Sequence, residues 1–232
     1  MLDFKTIYAR HADAYHRLVS HEDHQGHLLP ALKRICPLEG LEVVEFGAGT
    51  GRLTALLAPS ARRVWAFDSS AHMLAFAAGQ LRERRLRNVR LAVANNRCLP
   101  LAPSQADLAI EGWSFGHLIG WYPGTWRGEL DKCLGEMARV LRPGGTAILL
   151  ETLGTGQETP RPPGEGLAAF YALLEGQYGF AQSWVRTDYR FVSPDQAAEA
   201  LRFFFGDDLA AWVRQEGLCV VPECTGIWWR TF

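Results

Sequence analysis

A chain of 232 residues with 48% hydrophobic content is long enough to bury the core of one α/β domain, and we expect a single domain spanning 1–232. Its 24 Lys and Arg residues balance 25 Asp and Glu residues, so the net charge of −1 provides no bulk attraction to nucleic acid or to an anionic membrane. Five scattered cysteines, no CxxC spacing and a charged N-terminus without a signal-like apolar core predict a cytoplasmic protein with reduced thiols and no bound metal.

The first half of the chain alternates between helical and strand patterns. After two helical stretches, short β-branched runs are followed each time by apolar residues at helical spacing. We predict helices at 4–19, 28–35, 50–58 and 71–85, and strands at 41–46, 62–67 and 88–93. A further strand at 106–111, a helix at 126–141 and a strand at 146–151 continue the pattern. This alternation is typical of a mainly parallel sheet with right-handed crossovers and helices on both faces.

The last third of the chain has a different character. Residues 153–166 are rich in Gly and Pro and predict a loop. Ser193, Pro194 and Gln196 form the start signal of a helix: a capping hydroxyl, a proline at the first helical position and a capping-box side chain. The closing segment "CTGIWWRTF" predicts an edge strand that pairs antiparallel with "TDYRF" at 187–191.

The stretch "VVEFGAGTG" ends a predicted strand with Gly47, Gly49 and Gly51, a GxGxG spacing rather than the GxGxxG of dinucleotide-binding proteins. Asp68, at the end of the next strand, is positioned to accept hydrogen bonds from ribose hydroxyls, which a dehydrogenase also needs. Glu45 separates the alternatives, because its carboxylate would repel a pyrophosphate but attract the ammonium of a methionine moiety. The residues therefore favour S-adenosylmethionine.

Four motifs in order, "VVEFGAGTGRLT", "AFDSSAHML", "ANNRCLPL" and "EMARVLRPGG", resemble the class I S-adenosylmethionine-dependent methyltransferases, especially the small-molecule group called methyltransferase type 11. The resemblance implies a Rossmann-like α/β fold with a seven-stranded sheet of order 3-2-1-4-5-7-6, strand 7 antiparallel. It divides the chain into an N-terminal helical cap (1–36), a cofactor-binding core (41–152), an inserted lid (153–186) and a C-terminal edge hairpin with helices (187–232).

The same resemblance implies a set of cofactor-binding residues. Asn95 stands where the family more often has an Asp that binds the adenine amino group, and Glu111 and Gly112 should pass close to the sulfonium. The complete expected set is Tyr8, Tyr15, Glu45, Gly47, Ala48, Gly49, Asp68, Ser69, Met73, Asn95, Asn96, Glu111 and Gly112. Which of the two tyrosines reaches the cofactor is left open.

Candidate substrate contacts come mostly from the aromatic residues after Gly112. His117 is the candidate general base or substrate contact, although a capping or core role is equally compatible with its position. The spacing of His21, His24 and His27 invites a metal interpretation, but Gly26 breaks the helix, so a polar connection near the site entrance is preferred. The remaining substrate candidates are His21, His24, Trp113, Trp121, Tyr122 and Tyr171.

We therefore predict methyl transfer from S-adenosylmethionine to a small-molecule acceptor, with S-adenosylhomocysteine as product, by a monomer or homodimer without nucleic-acid or membrane partners. The segment "EGWS" lacks the NPPY-type tetrapeptide of enzymes that methylate amino groups of DNA bases or glutamine. Two alternatives remain: a catalytically silent S-adenosylmethionine-binding or regulatory protein, and an NAD-dependent oxidoreductase, which lacks support because Arg52 occupies its third-glycine position. The acceptor and its methylated atom are not encoded in these patterns.

Overall fold

The computed structural model describes residues 4–232 and contains a seven-stranded sheet. The strands of this sheet are β1 (Glu42–Phe46), β2 (Arg63–Asp68), β3 (Val89–Val93), β4 (Ala106–Gly112), β5 (Leu141–Thr155), β6 (Ala181–Arg186) and β9 (Glu223–Thr231). The order β3-β2-β1-β4-β5-β9-β6 has β9 antiparallel to both neighbours and the first five strands parallel. Counted along the chain, this is the order 3-2-1-4-5-7-6 with strand 7 antiparallel, so the predicted fold is confirmed.

The central strands are apolar on both faces because helices cover both sides of the sheet. In β1, Val43 packs into one core cluster and its neighbour Val44 into the other, as the two-residue period of a strand requires. The helices are α1 (Phe4–Arg10), α2 (Ala12–Val19), α3 (Leu28–Ile35), α4 (Arg52–Leu57), α5 (Ala71–Glu83), α6 (Leu118–Trp121), α7 (Trp126–Val140), α8 (Glu165–Gly176), α9 (Pro194–Phe205) and α10 (Asp207–Gln215).

Helix α9 begins where the sequence predicts. Ser193 is the N-cap, and its hydroxyl accepts a hydrogen bond from the backbone N–H of Gln196. The Gln196 side chain in turn accepts from the backbone N–H of Val192, which completes a capping box. Helices α9 and α10 form a separate cluster with Leu18 of α2, so they support the N-terminal helices from outside the sheet.

The predicted N-terminal helix over 4–19 is two helices, with a break at His11, where φ is −127° and ψ is 39°. The break lets α1 and α2 turn over the carboxyl ends of the parallel strands, where α1 and α2 both contact α5. The sequence patterns described above did not predict helices α8 and α10.

The predicted pairing of the C-terminal strand with 187–191 is wrong. Strand β9 lies between β5 and β6, and residues 224–229 pair with 181–186. The short strand β7 (Tyr189–Arg190) pairs instead with β8 (Val220–Val221) in a separate two-stranded sheet. Because β9 has a neighbour on each side, its backbone groups are satisfied in both directions, and its apolar run reflects an internal rather than an edge position.

Candidate active site

The glycine turn that follows β1 adopts backbone conformations that other residues rarely tolerate. Gly47, Gly49 and Gly51 have φ values of 70°, 55° and 81°. A Cβ atom at Gly47 would lie 2.2 Å from Oγ of Ser114, in the segment that follows β4. Glycine is therefore required at position 47 both for its conformation and for this close approach of two strand ends.

Asp68, the last residue of β2, fixes the turn from the neighbouring strand. Its Oδ2 accepts a hydrogen bond of 2.8 Å from the backbone N–H of Gly49, and its Oδ1 accepts one of 2.7 Å from Ser70. Burial raises the pKa of Asp68, and the two N–H donors oppose that shift. The carboxylate is thus oriented by backbone donors, and each oxygen retains acceptor capacity for a ligand hydroxyl.

Glu45 lies beneath the turn and does not line either of the two cavities near it. Its side chain is buried, and its Oε2 accepts a 2.6 Å hydrogen bond from the hydroxyl of Thr54 in α4. Burial raises the pKa of Glu45 to about 8, against the hydrogen bond from Thr54. Glu45 therefore links β1 to α4, a role that the sequence did not predict. Ala48 is likewise buried and lines neither cavity.

A cavity of about 430 Å³ opens between this turn and the N-terminal helices; we call it the smaller cavity. It lies at the carboxyl ends of β1, β2 and β4, where ligands bind in open parallel α/β sheets. Ten of the predicted cofactor residues line it: Tyr8, Tyr15, Gly47, Gly49, Asp68, Ser69, Met73, Asn95, Asn96 and Gly112.

Two neighbouring amides in the smaller cavity have different hydrogen-bonding states. Oδ1 of Asn95 already accepts hydrogen bonds from the backbone N–H and from Nε of Arg97. Asn96 donates from Nδ2 to Oγ of Ser114 at 3.2 Å, while its Oδ1 is buried without a partner among residues 4–232. Of these two amides, Asn96 therefore has the unpartnered acceptor, whereas the family pattern placed the adenine contact at Asn95.

A second cavity, of about 1030 Å³, adjoins the first; we call it the larger cavity. Five side chains line both, and we call them the junction residues: Tyr8, Tyr15, Trp113, His117 and Trp121. All five were candidates from the sequence. Both tyrosines that the N-terminal helices offered therefore lie at the boundary between the cavities.

The junction residues support one another through a hydrogen bond and ring contacts. The Tyr8 hydroxyl lies 2.7 Å from Nε2 of His117. The imidazole of His117 stacks on the Trp121 ring, with ring centroids 5.1 Å apart. Burial lowers the pKa of His117 to about 4, so its imidazole is neutral at pH 7. With Nδ1 protonated, Nε2 accepts a hydrogen bond from the Tyr8 hydroxyl, and the imidazole then positions that hydroxyl.

The N-terminal helices are attached to the sheet by polar contacts as well as by packing. The Ser70 hydroxyl donates a 2.8 Å hydrogen bond to the backbone carbonyl of Tyr8, and it also caps α5. The His16 imidazole lies 3.2 Å from the hydroxyl of Thr50, in the glycine turn. Helices α1 and α2 are thereby held over the smaller cavity by the same loops that form its floor.

The larger cavity has aromatic walls and buried carboxyl groups. Helices α8 and α9 close it, together with the Gly- and Pro-rich segment after β5. Its charged lining residues are Glu22, Arg52, Glu151, Arg161, Glu165 and Glu223. The sequence analysis assigned none of them to the site, because they lie on separate segments of the chain.

A pair of buried carboxyl groups lies beneath the junction. Glu111, on β4, accepts hydrogen bonds at Oε2 from the N–H groups of Ser114 and Phe115, while its Oε1 is buried without a partner in the described part of the chain. Glu151, on β5, accepts a 2.6 Å bond at Oε1 from Gly116. Burial raises the pKa of both groups, that of Glu151 to about 8. Only Glu151 of this pair lines a cavity.

The other substrate candidates lie in different environments. Tyr122 lines the smaller cavity only, whereas His21, His24 and Tyr171 line neither. Tyr171 is buried against Trp228 and donates a hydrogen bond to the carbonyl of Thr152. His21 Nδ1 binds the carbonyl of Arg190, so this histidine helps to attach the N-terminal segment to β7. Across residues 4–232, no cluster of three or more His, Cys, Asp or Glu side chains could hold a metal ion.

Comparison with known proteins agrees with this geometry. Residues 43–145 match the model of the family described as "Methyltransferase domain". The chain is 32% identical over 149 residues to the malonyl-[acyl-carrier protein] O-methyltransferase of Pectobacterium atrosepticum, covering 64% of this chain and 52% of that protein. It is 30% identical over 148 residues to the ubiquinone/menaquinone biosynthesis C-methyltransferase of Rubrivivax gelatinosus, covering 64% and 53%. The chain thus spans about half the length of these two curated relatives.

A solved structure of an S-adenosylmethionine-dependent methyltransferase from Aquifex aeolicus superimposes with a TM-score of 0.56 at 17% identity, covering 97% of this chain and 92% of that one. At this identity the likeness concerns the fold. No helix within residues 4–232 has the length and apolar character needed to cross a bilayer. Residues 43–145 therefore match a methyltransferase domain, and the resemblance of the motifs to the class I S-adenosylmethionine-dependent methyltransferases is confirmed.

Proposed function

We propose that the protein binds S-adenosylmethionine in the smaller cavity and transfers its methyl group to a small molecule in the larger cavity. The observation that carries this proposal is that the five junction residues line both cavities. A methyl group at that boundary would be reached by a nucleophile from one side while its leaving group stays on the other, as in-line displacement requires.

The residues present fit this cofactor. The Gly47 approach to Ser114 leaves no side chain between the turn and the cavity, so backbone N–H groups of the turn can bind a carboxylate. Asp68 accepts the ribose hydroxyls, since both of its oxygens are already oriented by the turn and by Ser70. The unpartnered Oδ1 of Asn96 accepts the adenine amino group, since a buried acceptor without a donor is otherwise costly.

Positioning is the main task of the protein in this reaction. Bound S-adenosylmethionine supplies an activated methyl group on a positively charged sulfur. The aromatic rings of the junction exclude water and hold the acceptor in line, and such alignment contributes about 7–11 kcal/mol in well-oriented systems. The same rings can stabilise the positive charge through their π faces.

Proton removal depends on the acceptor. If the attacking group loses a proton, Glu151 is the carboxyl of the larger cavity that is attached to the junction segment, because its Oε1 accepts a hydrogen bond from the N–H of Gly116, next to His117. Near pH 8 a substantial fraction of Glu151 is ionised and can accept that proton, because its pKa is raised to about 8. His117, with a pKa of about 4, is the weaker base of the two.

The relatives do not determine the acceptor, because their names specify different acceptors and atoms: an O-methyltransferase acting on malonyl-[acyl-carrier protein], a ubiquinone/menaquinone C-methyltransferase and a demethylmenaquinone methyltransferase. Helices α8 and α9 and the segment after β5 line the larger cavity, and its volume of about 1030 Å³ is sufficient for a small molecule. We therefore propose a small-molecule acceptor bound within that cavity.

Titration calorimetry tests the cofactor, with S-adenosylmethionine, S-adenosylhomocysteine and NAD added separately to the wild-type protein. We expect both sulfur compounds to bind and NAD not to bind; binding of NAD alone contradicts the proposal. Transfer of a radiolabelled methyl group from S-adenosylmethionine to a low-molecular-weight cell extract then tests the reaction. Tight cofactor binding with no transfer under any condition identifies a silent binding protein instead.

A further inference from the structure

The charges that line the larger cavity are unevenly matched. Four carboxyl groups face two guanidinium groups in the lining: Glu22, Glu151, Glu165 and Glu223 against Arg52 and Arg161. Because burial raises the pKa of Glu151 and Glu223 to about 8, both are largely protonated at pH 7 and supply negative charge only when a cation binds beside them.

Arg52 is already engaged and leaves little positive charge available. Its Nη1 forms an ion pair with Oε2 of Glu22, and its guanidinium lies over the Trp113 ring, 3.9 Å from the centroid. The Tyr189 hydroxyl donates a second hydrogen bond, of 3.0 Å, to the same Glu22 oxygen. Glu22 and Arg52 therefore neutralise each other, which leaves Glu151, Glu165, Glu223 and the exposed Arg161 as the other carboxyl and guanidinium groups of the lining.

Glu223 is the carboxyl group in this cavity with a free, buried oxygen. It is the first residue of β9, it is 2% exposed, and its Oε1 accepts a 2.7 Å hydrogen bond from the hydroxyl of Thr152. Its backbone N–H donates to Oδ1 of Asp188 at 3.0 Å, which fixes the start of the strand. Oε2 of Glu223 is buried with no hydrogen-bond partner at bonding distance within residues 4–232, although the Thr155 side chain lies close enough to oppose the rise in the pKa of this carboxyl group.

An unpartnered buried oxygen reduces the free energy of unfolding, so a ligand donor at that position would recover a substantial interaction. Burial raises the pKa of Glu223 to about 8, and the nearby Glu22 carboxylate contributes to this rise. A cation beside Oε2 would stabilise the ionised form, so at pH 7 its binding would release the carboxyl proton to solvent.

The walls next to these groups are aromatic. Tyr15, Trp113, Phe204 and Phe205 line the larger cavity, and Tyr15 contacts Phe204 with ring centroids 5.7 Å apart. Such a lining accommodates an apolar body, and its ring faces also attract cations. The cavity thus combines an apolar wall with a buried carboxyl group whose acceptor oxygen is free.

We propose that the acceptor is an apolar or aromatic molecule with a basic amine, whose ammonium group donates a hydrogen bond to Oε2 of Glu223. This inference rests on the proposed function, because it identifies the substrate class of the same site. A carboxylate or phosphate in this position would gain no such stabilisation, because it cannot donate a hydrogen bond to Oε2 and would oppose the ionisation of Glu223. Glu223 is then a specificity-determining residue.

The test uses three matched probes: a naphthylethylamine, the corresponding naphthylethanol and naphthylacetate. Each is titrated calorimetrically at pH 7 into the wild-type protein and the Glu223→Gln variant, with and without saturating S-adenosylhomocysteine. Gln keeps the acceptor for Thr152 and removes the carboxyl group that ionises when the amine binds. We expect the amine to bind wild type at least roughly tenfold more tightly than the alcohol, with the acetate weakest, and Glu223→Gln to abolish the preference for the amine.

Glu216→Gln is the matched control, since it removes an exposed carboxylate outside the cavity and should leave the amine preference unchanged. The binding enthalpy of the amine is compared in phosphate and in Tris buffer, and a difference between the two registers the release of a proton. A Glu223 with a purely structural role would give no difference. Amine affinity within about twofold of the alcohol, an unchanged preference in Glu223→Gln, or no binding of any probe overturns the inference. Failure of S-adenosylhomocysteine to bind contradicts the proposed function and is recorded separately.

Discussion

The two cavities are built in different ways from the same chain. The smaller cavity takes its polar groups from residues near the carboxyl ends of neighbouring parallel strands, such as Gly47, Asp68 and Asn96. The larger cavity takes its charged groups from distant segments, with Glu22 near the start of the chain and Glu223 near its end. The smaller cavity is therefore formed by the loops at one edge of the sheet. The larger cavity depends instead on the packing of separate helices and of the antiparallel strand β9.

The largest effect should follow from blocking the glycine turn. In Gly47→Val, a side chain at φ 70° enters the space of Ser114 Oγ, 2.2 Å from the Cβ position, and displaces the Ser114–Asn96 hydrogen bond. We expect loss of measurable S-adenosylhomocysteine binding by calorimetry and destabilisation by about 2–5 kcal/mol from strain and overpacking.

Gly79→Ala is the control for that substitution. Gly79 lies inside α5 with no heavy atom within 4 Å of a Cβ at this position. It should stabilise the protein by roughly 0.5–1 kcal/mol without changing ligand affinity. Equal ligand affinity in Gly47→Val and Gly79→Ala would contradict the placement of the cofactor against the turn.

The next largest effect concerns the ribose contact. Asp68→Asn keeps the shape of the side chain, but one of the two oxygens that accept from Gly49 and Ser70 becomes an amide donor. We expect S-adenosylhomocysteine affinity to fall roughly 100-fold, which corresponds to about 3 kcal/mol. A matched exposed change, Asp208→Asn in α10, should have no effect on the same calorimetric titration.

Substitutions of Asn95 and Asn96 distinguish the adenine contact that the hydrogen-bonding geometry supports from the one that the family pattern implies. Asn96→Ala removes the unpartnered acceptor and should weaken S-adenosylhomocysteine binding about tenfold. Asn95→Ala removes an acceptor already used by Arg97 and should change affinity less than about threefold. If the order of the two effects is reversed, adenine is recognised by Asn95 and the side-chain arrangement around Arg97 changes on binding.

The stability of the protein should depend on pH, because burial raises the pKa of Glu45, Glu151 and Glu223 to about 8. The unfolded chain releases these protons near the ordinary glutamate pKa and the folded protein retains them, so stability falls as pH rises towards 8. His117, with its pKa lowered to about 4, has the opposite slope, but only below its ordinary pKa of 6.5.

We therefore expect the free energy of unfolding of the ligand-free protein to fall between roughly pH 6.5 and 8, by up to about 1 kcal/mol per pH unit for each group. Urea denaturation at several pH values measures this slope. Glu45→Gln should reduce the slope while retaining an acceptor for the Thr54 hydroxyl in α4. A slope that is unchanged in Glu45→Gln would mean that this carboxyl is ionised in the folded protein.

The smallest effect should occur outside both cavities. Ser193→Ala removes the N-cap of α9, whose hydroxyl accepts from the N–H of Gln196, and should destabilise the protein by about 1 kcal/mol. S-adenosylhomocysteine affinity should remain within about twofold of wild type. A large loss of affinity would show that α9 controls the smaller cavity as well as the larger one.

Much of the fold and of the smaller cavity could be predicted because their signals are local. The GxGxG turn, the acid at the end of β2 and the capping box at Ser193 each lie within a few neighbouring residues. The alternation of apolar runs likewise indicates the parallel strands without any long-range information.

The remaining features depend on contacts that no local pattern contains. The apolar run of β9 fits either an edge or an internal strand, and its position between β5 and β6 is decided by packing on both faces. Whether Asn95 or Asn96 has a free acceptor depends on the position of the Arg97 side chain. Glu223 becomes a cavity residue only because β9 brings it beside Thr152.

The most direct test of the central claim is a crystal structure of the protein with S-adenosylhomocysteine. We expect the ligand to lie in the smaller cavity, with its ribose hydroxyls hydrogen-bonded to Asp68 and its adenine amino group hydrogen-bonded to Asn96. Its sulfur should face the junction residues, between Tyr8 and Trp113. S-adenosylhomocysteine bound in the larger cavity, or with its sulfur directed away from that junction, would contradict it.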